Sequence, residues 1–252
     1  MARRSAPLWR GAPYHRRMPE KKAPPRRTGR PRSTGQTVEG DAVDGILAAA
    51  STLFGQHGVE GTTMSRIATE AGLRQPSLYY YFRRKEELIA ALVARANVVP
   101  LHLARALLAG DGSTAAQLHR FVHEDVVALC RLPFDINEVH RIAARDPDGF
   151  AEYWSERNQL QRLIARMVRS GCREGAFRTV DAHLTALTVL GTDEGVQNWF
   201  RVGPRLRTGP IGLAVADLVV GGLLVRADDL DDVRRESATL VVPPGPRLSI
   251  TD

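Results

Sequence analysis

Residues 62–82 read TTMSRIATEAGLRQPSLYYYF, and this stretch decides the fold of the N-terminal part of the chain. Apolar side chains in its first half recur at i, i+3, i+4 and i+7, the spacing of one face of an α-helix. They are Met64, Ile67, Ala68 and Ala71. Gly72 supplies a tight turn, and a second short helix is predicted from about Gln75 to Phe82, with Pro76 tolerated in its first turn. Two short helices joined in this way indicate a helix-turn-helix.

The residues on either side of this unit also have the periodicity of helices. Upstream, six apolar residues form one helical face. They are Val43, Ile46, Leu47, Ala50, Leu53 and Phe54, and Gly58 follows as a C-terminal stop. Downstream, Lys85 begins a longer helix with Leu88 and Leu92 directed inward. We therefore predict a helix-turn-helix DNA-binding domain over residues 38–98.

The second helix of the unit has side chains suited to reading DNA. Leu78 and Phe82, four residues apart, can anchor it to the core. The side chains that remain free are Arg74, Gln75, Ser77, Tyr79 and Tyr80. Gln can bond an adenine edge, Arg a guanine edge, and hydroxyl groups can reach bases or phosphates. The sequence thus predicts a partner in double-stranded DNA, bound in the major groove.

The stretch from Asp41 to Ala96 resembles the DNA-binding domain of the tetracycline-repressor (TetR) family. The matching residues are Gly58-Val59-Glu60-Gly61-Thr62-Thr63, Ile67-Ala68, Ala71-Gly72-Leu73, Gln75-Pro76-Ser77-Leu78-Tyr79-Tyr80-Tyr81-Phe82 and Lys85-Glu86-Glu87-Leu88. This pattern is much longer than a generic helix-turn-helix. The resemblance covers about a quarter of the chain, and beyond it only the helical layout is similar.

The resemblance implies a role for each matching position. Phosphate contacts fall to Thr63, Ser65, Tyr79, Tyr81 and Lys85, and base contacts to Gln75, Pro76, Ser77 and Tyr80. Lys85 is the only lysine after Lys22 in an Arg-rich chain, consistent with a specific demand there. Arg74 and Arg84 depart from the family, because many relatives have a small polar capping residue at these positions. We expect both caps to be weak, with each Arg either on DNA or solvated.

The N-terminal segment is strongly basic. Residues 1–40 contain eleven Arg and Lys against two Glu, whereas the rest contains 24 basic and 26 acidic residues. Residues 1–37 have six prolines and no apolar period, so we predict a disordered basic arm. Within it, Arg30-Pro31-Arg32 resembles the minor-groove arms of some relatives, where Arg30 and Arg32 would enter an A·T-rich groove. A solvated tail is the alternative.

Two cysteines, Cys130 and Cys172, cannot form a disulfide framework, which fits a reducing compartment. The basic N-terminus is not followed by the apolar segment of a signal peptide. The longest apolar run, Ile211 to Val225, is short for a bilayer and is interrupted by Asp217. We therefore predict a cytoplasmic protein with no membrane partner.

Residues 99–227 are predicted to form a larger helical domain, which makes the fold all-α with about nine helices. The resemblance implies that this domain binds a small molecule and forms a homodimer through its last two long helices. Independently, the predicted 211–227 helix is apolar on nearly every side. One side can pack on its own subunit, and the other needs a second apolar surface to bury it. The candidate interface residues are Thr188, Gly191, Gly195, Leu218 and Gly222. Residues 228–252 are predicted to be a flexible C-terminal tail.

The ligand pocket is harder to place. Aromatic and polar candidates for its wall are Phe121, Phe134, His140, Trp154 and Trp199, although most aromatic residues at helical spacing belong to a core. His119 and His123 share one helical face, but they lack a convincing third ligand, so we predict neither metal nor cofactor. A catalytic set of residues is not recognisable either.

The sequence favours a sequence-specific transcriptional regulator, most simply a homodimeric repressor that a small-molecule ligand releases from a palindromic operator. Two alternatives remain. One is an all-α enzyme, and the other is an architectural DNA-binding protein that uses only the basic arm. An architectural protein would bind DNA without sequence preference and with steep salt dependence, whereas a regulator would prefer one site even without Arg30 and Arg32.

Overall fold

The computed structural model describes residues 39–201 and 207–243. Within these ranges the chain forms ten α-helices and one 3₁₀ turn, and its only β-type pairing is an isolated bridge between Phe177 and Leu224. The α-helices are α1 Glu39–His57, α2 Met64–Glu70, α3 Gln75–Tyr81, α4 Lys85–Ala109, α5 Thr114–Arg131, α6 Ile136–Arg145, α7 Ala151–Arg173, α8 Ala182–Trp199, α9 Thr208–Gly221 and α10 Leu230–Thr239. The all-α prediction is confirmed, with ten helices rather than nine. Arg30 and Arg32 lie outside the described residues.

The N-terminal core is built by α1 to α3, the first half of α4, and α6. The apolar face predicted for α1 lies in it, where Ile46 and Ala50 are fully buried. Ile136, Val139 and Ala143 of α6 pack into the same core, together with Phe150 and Tyr153 at the beginning of α7. The core of the helix-turn-helix therefore continues past residue 98 and includes a helix that was assigned to the second domain.

The second core lies around α5, which packs against α7, α8, α9 and α10. Leu118, Phe121 and Val122 of α5 are fully buried there. The second half of α4 contributes Leu103 and Ala104 to this core, so α4 belongs to both cores. A single helix shared by two cores is a direct mechanical connection between them.

Two predictions about the C-terminal part were wrong. The apolar helix ends at Gly221 rather than at 227, because the chain turns so that Leu223 and Leu224 pack inward. The predicted flexible tail from 228 instead contains α10, whose residues pair with the second core. Arg234 Nη2 donates to Asp217 at 2.7 Å, and the backbone N–H of Ser113 donates to Glu236 at 2.6 Å. These ion-pair and capping partners come from distant parts of the chain, so helical periodicity alone does not reveal them.

Helix α4 is the one described helix that is long and apolar enough to cross a membrane by length and composition. Its apolar residues pack against α1, α5 and α7. Pro100 lies within it, and because proline lacks an N–H, the carbonyl of Ala96 loses its usual helical donor. The helix therefore has a backbone defect at its middle, between its two core segments.

Candidate DNA interface and effector cleft

The helix-turn-helix of the structure matches the sequence prediction. Thr63 caps α2 by accepting a hydrogen bond from the backbone N–H of Arg66 at 3.3 Å. Gly72 has φ +67°, in the left-handed region that favours glycine, and it turns the chain from α2 into α3. Leu78 is fully buried and Phe82 is largely buried, so α3 is anchored on the side that faces the core.

The opposite side of α3 is exposed. Its exposed side chains are Gln75, Pro76, Ser77, Tyr79 and Tyr80, and Tyr80 has 75% of its surface accessible. Tyr81 is half-buried and packs edge-to-face on Tyr80 with ring centroids 5.2 Å apart. Thr63 and Ser65, at the beginning of α2, are also exposed. Helices α2 and α3 pack on each other, so these residues lie on neighbouring elements of one small unit.

The two arginines at the capping positions form no caps, as expected, but Arg84 lies in ion-pair range of carboxylates rather than free in solvent. Neither Arg74 nor Arg84 makes a side-chain cap to its helix. Arg74 is exposed beside Gln75. Arg84 instead lies 3.8 Å from a carboxylate oxygen of Asp146, and Glu87 accepts a 2.9 Å hydrogen bond from the backbone N–H of Arg83. This hydrogen bond fixes the chain just before α4, whereas the first N–H groups of the helix receive no cap from the Arg84 side chain.

The resemblance implies that Lys85 is free to bind a phosphate, but in the structure its side chain already forms hydrogen bonds within the protein. Its Nζ donates to the carbonyl of Val59 at 2.8 Å and to the carbonyl of Thr62 at 3.1 Å, and the side chain is half-buried. Two of its three N–H groups therefore hold the α1–α2 turn, and one remains. The sequence does not reveal these partners, because main-chain acceptors have no residue-type signal.

The same turn is held by α6. The carboxylate of Glu138 accepts the backbone N–H groups of Val59 and Glu60, both at 3.0 Å. At its other end, α6 is connected to α8 through Gln197. This side chain accepts the N–H of Ile136 at 2.8 Å and donates to the carbonyls of Leu129 and Phe134. Sequence reasoning missed this chain of contacts from α8 to the helix-turn-helix.

The residues predicted for the ligand pocket do not come together around one cavity. Phe121 is fully buried in the second core, and Phe134 lies in the N-terminal core. His140 and Trp154 stack with ring centroids 6.0 Å apart. Trp199, at the C-terminal end of α8, has 55% of its surface exposed. Phe121, Phe134 and Trp154 thus pack in or against the two cores, whereas Trp199 lies at the surface.

A cleft does lie between α4, α5, α7 and α8, with a cavity volume of about 40 Å³. We call it the effector cleft. Its walls are mainly apolar, with the charged residues Asp125, Arg157 and Glu194 among them. Apolar lining residues include Val99, Pro100, Leu129, Leu132, Leu160 and Leu190. Its signal in the sequence was Asp125, which interrupts an apolar face of α5, whereas Glu194 lies beside the polar residues Asp193 and Gln197.

The charges at the effector cleft are unevenly compensated. Arg157 binds Glu194 through both terminal guanidinium nitrogens, and the Nη2 contact measures 2.9 Å. Burial raises the pKa of Asp125 to about 7, with Glu194 adding to the shift and Arg157 opposing it. Burial and the neighbouring Asp125 likewise raise the pKa of Asp193, which is fully buried. Burial lowers the pKa of His140 to about 4, so its ring is neutral although it lies 3.8 Å from Glu194.

The predicted dimer residues lie on the outer side of α8 and α9. Thr188, Gly191, Leu218 and Gly222 are exposed, and Gly195 is half-buried. The same side carries two further exposed apolar residues, Leu184 and Leu187. We call these seven residues the α8–α9 face. A Cβ built on Gly191 or Gly195 would meet nothing within 4 Å, so the space above both glycines is open.

The two histidines considered as metal ligands are engaged elsewhere. His119 is buried, with Nδ1 2.9 Å from Ser237 Oγ and Nε2 3.1 Å from Asp217. His123 lies 3.3 Å from Glu124. Among the residues that the structure describes, no three His, Cys, Asp or Glu side chains are grouped as a metal site would need. His119 thus helps to hold α9 and α10 on α5.

Fold and site together define a class of protein: an all-helical regulator with an N-terminal helix-turn-helix and a second helical domain. Comparison with family models gives the same result. Residues 46–92 match the family described as bacterial regulatory proteins, tetR family, and residues 111–223 match the tetracyclin repressor-like C-terminal domain. The chain belongs to the TetR family, and it is a DNA-binding transcriptional regulator rather than an enzyme.

Similar proteins include the HTH-type transcriptional repressor KstR2 of Mycobacterium tuberculosis (strain ATCC 25618 / H37Rv), 26% identical over 71% of this chain and 90% of that protein. The crystal structure of the TetR family transcriptional regulator PfmR from Thermus thermophilus has a TM-score of 0.61 and 27% identity over 71% of this chain and 98% of that one. AibR, in complex with isovaleryl coenzyme A and operator DNA, has a TM-score of 0.63 and 21% identity over 73% of this chain and 98% of its own, a likeness of fold alone.

Proposed function

We propose that this chain is a homodimeric transcriptional repressor that binds a palindromic operator and is released by a small-molecule effector in the cytoplasm. The observation that carries the proposal is the exposed side of α3. Five side chains, most of them polar or aromatic, face outward there, while Leu78 and Phe82 fix the helix to the core. Such a helix, presented by a helix-turn-helix, is suited to enter the major groove.

The contacts with DNA divide between bases and backbone. Gln75, Pro76, Ser77 and Tyr80 are proposed to face bases, with Gln75 bidentate on an adenine edge. The proposed backbone ligands are Thr63, Ser65, Tyr79 and Tyr81, with Lys85 contributing through its one free N–H. Arg74 is proposed to contact either a base or a phosphate. Arg30 and Arg32 are proposed to follow the minor groove, as residues of the predicted arm.

The α8–α9 face supports a dimer. It joins exposed leucines to small residues, so a second copy can approach closely and cover apolar surface. A two-fold axis makes the same face meet itself, and it presents two α3 helices to two half-sites about one DNA turn, roughly 34–36 Å, apart. A palindromic operator follows from this symmetry.

Release by an effector needs a connection between the effector cleft and the DNA-binding unit. Helix α4 runs from the α2–α3 unit to the cleft, and Pro100 lies in the cleft wall. A second connection runs from α8 through Gln197 and α6 to Glu138, which holds the turn before α2. An effector that prefers a different spacing of α4 and α8 would shift both connections. KstR2, a similar protein, is named a repressor, which supports this sign of regulation.

The test is selection of bound sequences from a random duplex pool by the full chain, near physiological salt. We expect enrichment of a palindrome with half-sites about one turn apart. Gln75→Ala should lose preference at one defined base pair of each half-site, by about 1–3 kcal/mol, and leave the other positions unchanged. The matched control is Gln56→Ala, which changes another exposed glutamine, at the C-terminal end of α1.

Three outcomes of this selection would overturn the proposal. If no sequence is enriched and binding falls steeply with salt, the chain binds DNA through electrostatics alone, as an architectural protein would. If Gln75→Ala and Gln56→Ala select the same sequences as the unmodified chain, α3 is not the reading helix. A unique but non-palindromic site would contradict the two-fold arrangement.

A further inference from the structure

The polar groups at the effector cleft are short of hydrogen-bond donors. Asp125 lines the cleft, is 6% exposed, and has a second carboxyl group, that of Asp193, as its neighbour. Asp193 is fully buried, and neither of its carboxylate oxygens receives a hydrogen bond from a described residue. Two ionised carboxylates cannot bond each other, so the pair lacks a proton or a donor.

The balance of charges at the effector cleft also indicates that its carboxyl groups lack a partner. Three buried carboxyl groups, those of Asp125, Asp193 and Glu194, lie near one another, and Arg157 is the cation that acts on Asp125 and Glu194. Arg157 is occupied by Glu194, which it binds through both of its terminal nitrogens. Burying an unpaired charge is costly, so Asp125 and Asp193 each need either a proton or a positively charged partner. An anionic ligand would instead add a further negative charge beside these carboxyl groups.

The rest of the cleft adds an acceptor and an apolar wall. Pro100 and Ala96 both line it, and the carbonyl of Ala96 has lost its helical donor to the proline. Leu129, Leu132 and Leu160 supply apolar surface on the other helices. A cavity of about 40 Å³ has room for a group of a few heavy atoms.

We propose that the effector cleft binds a small organic cation, an amine or guanidine on a short apolar body, whose charged group is held by Asp125 and Glu194. Asp193 acts as a positioning residue behind Asp125. The apolar body packs against the leucines, and an N–H of the cation satisfies the carbonyl of Ala96. This assignment rests on the proposed function, because it names the chemical class of the effector of that regulator.

Binding of a cation here is linked to loss of a proton. With its pKa raised to about 7 by burial, Asp125 is largely protonated below pH 7 in the absence of ligand. The groups that face it are Asp193 and Glu194 of α8 and Arg157 of α7. An ammonium ion binds the ionised form of Asp125, so affinity should rise from pH 6 to pH 8 while the amine, with a pKa of about 10, stays charged.

The experiment measures binding of three probes of equal chain length to the full chain by calorimetry at pH 8. The probes are n-butylamine, n-butanol and butyrate. We expect n-butylamine to bind about tenfold more tightly than n-butanol, and butyrate to bind more weakly than either. Asp125→Asn should reduce the preference for the amine to near unity. Asp228→Asn, which neutralises an exposed carboxylate outside the cleft, should keep it.

Folding of the variants is checked by thermal unfolding, and Asp193→Asn is the second variant. It should weaken amine binding and shift the pH at which binding increases. Equal affinities for the amine and the alcohol, tighter binding of butyrate, or an unchanged preference in both variants would overturn the assignment.

The same protein preparation is used for sequence selection from random duplexes. If the selection finds an operator but the amine does not bind, the cationic effector is rejected and the regulatory function is kept. Amine binding without any sequence preference supports the cation site and rejects the regulatory role.

Discussion

At the scale of single residues, Lys85 shows how a family motif and a local structure give different roles. The resemblance implies a phosphate ligand, whereas the structure has its Nζ on the carbonyls of Val59 and Thr62. Both acceptors belong to the turn that precedes α2. Lys85 therefore stabilises the helix-turn-helix before any DNA is bound, and only one N–H remains for a phosphate.

Lys85→Met keeps the aliphatic stem and removes the two hydrogen bonds. We expect the free energy of unfolding to fall by about 1–3 kcal/mol, because two carbonyls lose a charged donor. Denaturant unfolding of the free protein measures this change. Arg83→Met, which replaces an exposed cation two residues away, is the control. If Lys85→Met leaves stability unchanged and only reduces the salt dependence of DNA binding, the phosphate role alone is correct.

The buried carboxyl group of Asp125 predicts how the stability of the folded chain changes with pH. Its pKa in the folded state, raised by burial to about 7, lies above the unfolded value near 3.8. The folded chain therefore binds the extra proton, and this group lowers stability as pH rises from about 4 to about 7, with no further change above.

Asp125→Asn removes that ionisation and provides an amide N–H for Asp193. The variant should gain stability over the unmodified chain progressively between pH 4 and pH 7, by on the order of 4 kcal/mol at the upper end. Urea unfolding at pH 4.5, 6 and 7.5 tests this. A gain that is the same at all three pH values would show that Asp125 does not titrate in this range.

At the scale of helices, a feature can be predicted from the sequence when the residues that interact lie close together along the chain. Helices α1 to α3 were predictable because their apolar periods, caps and the Gly72 turn are local signals. Helix α10 was not, since its ion pair joins Arg234 to Asp217 on another helix and its packing depends on tertiary contacts. The effector cleft was missed for the same reason. Its charged residues come from three helices, and aromatic content was a poor guide to its walls.

Gln197 joins α8 to the loop before α6. Substituting it therefore measures how much a contact between helices contributes to the free energy of unfolding. Gln197→Ala removes bonds to the N–H of Ile136 and the carbonyls of Leu129 and Phe134. Because these backbone groups are partly buried, we expect a loss of about 2–3 kcal/mol in the free energy of unfolding. Asn198→Ala, at the next and exposed position, should cost much less. Similar losses in the two variants would mean that water replaces Gln197 at no cost.

At the scale of the whole molecule, two cores share α4, and α6 connects the second core to the DNA-binding unit. This arrangement joins the effector cleft to α3 within one subunit. It does not set the distance between two α3 helices, which only the association of two subunits can fix. In the proposed dimer, the α8–α9 face sets this distance and so couples changes inside one subunit to operator binding.

Leu218→Glu places a charge at the most exposed leucine of the α8–α9 face, where 72% of the residue's surface is accessible. In a monomer this substitution would be harmless, because the site faces solvent. In a dimer the carboxylate would be buried against apolar surface, which is costly enough to prevent association. Light scattering should show a mass of about 28 kDa for the variant, near the 27.7 kDa of one chain, and twice that for the unmodified protein.

Operator binding should change together with the mass. A monomer contacts one half-site, so its affinity for the palindrome should fall steeply and become equal to its affinity for a single half-site. Val241→Glu is the matched control, since Val241 is 89% exposed and lies outside the α8–α9 face. It should remain dimeric and bind the palindrome. A Leu218→Glu variant that keeps both the dimer mass and the operator affinity would place the interface elsewhere on the molecule.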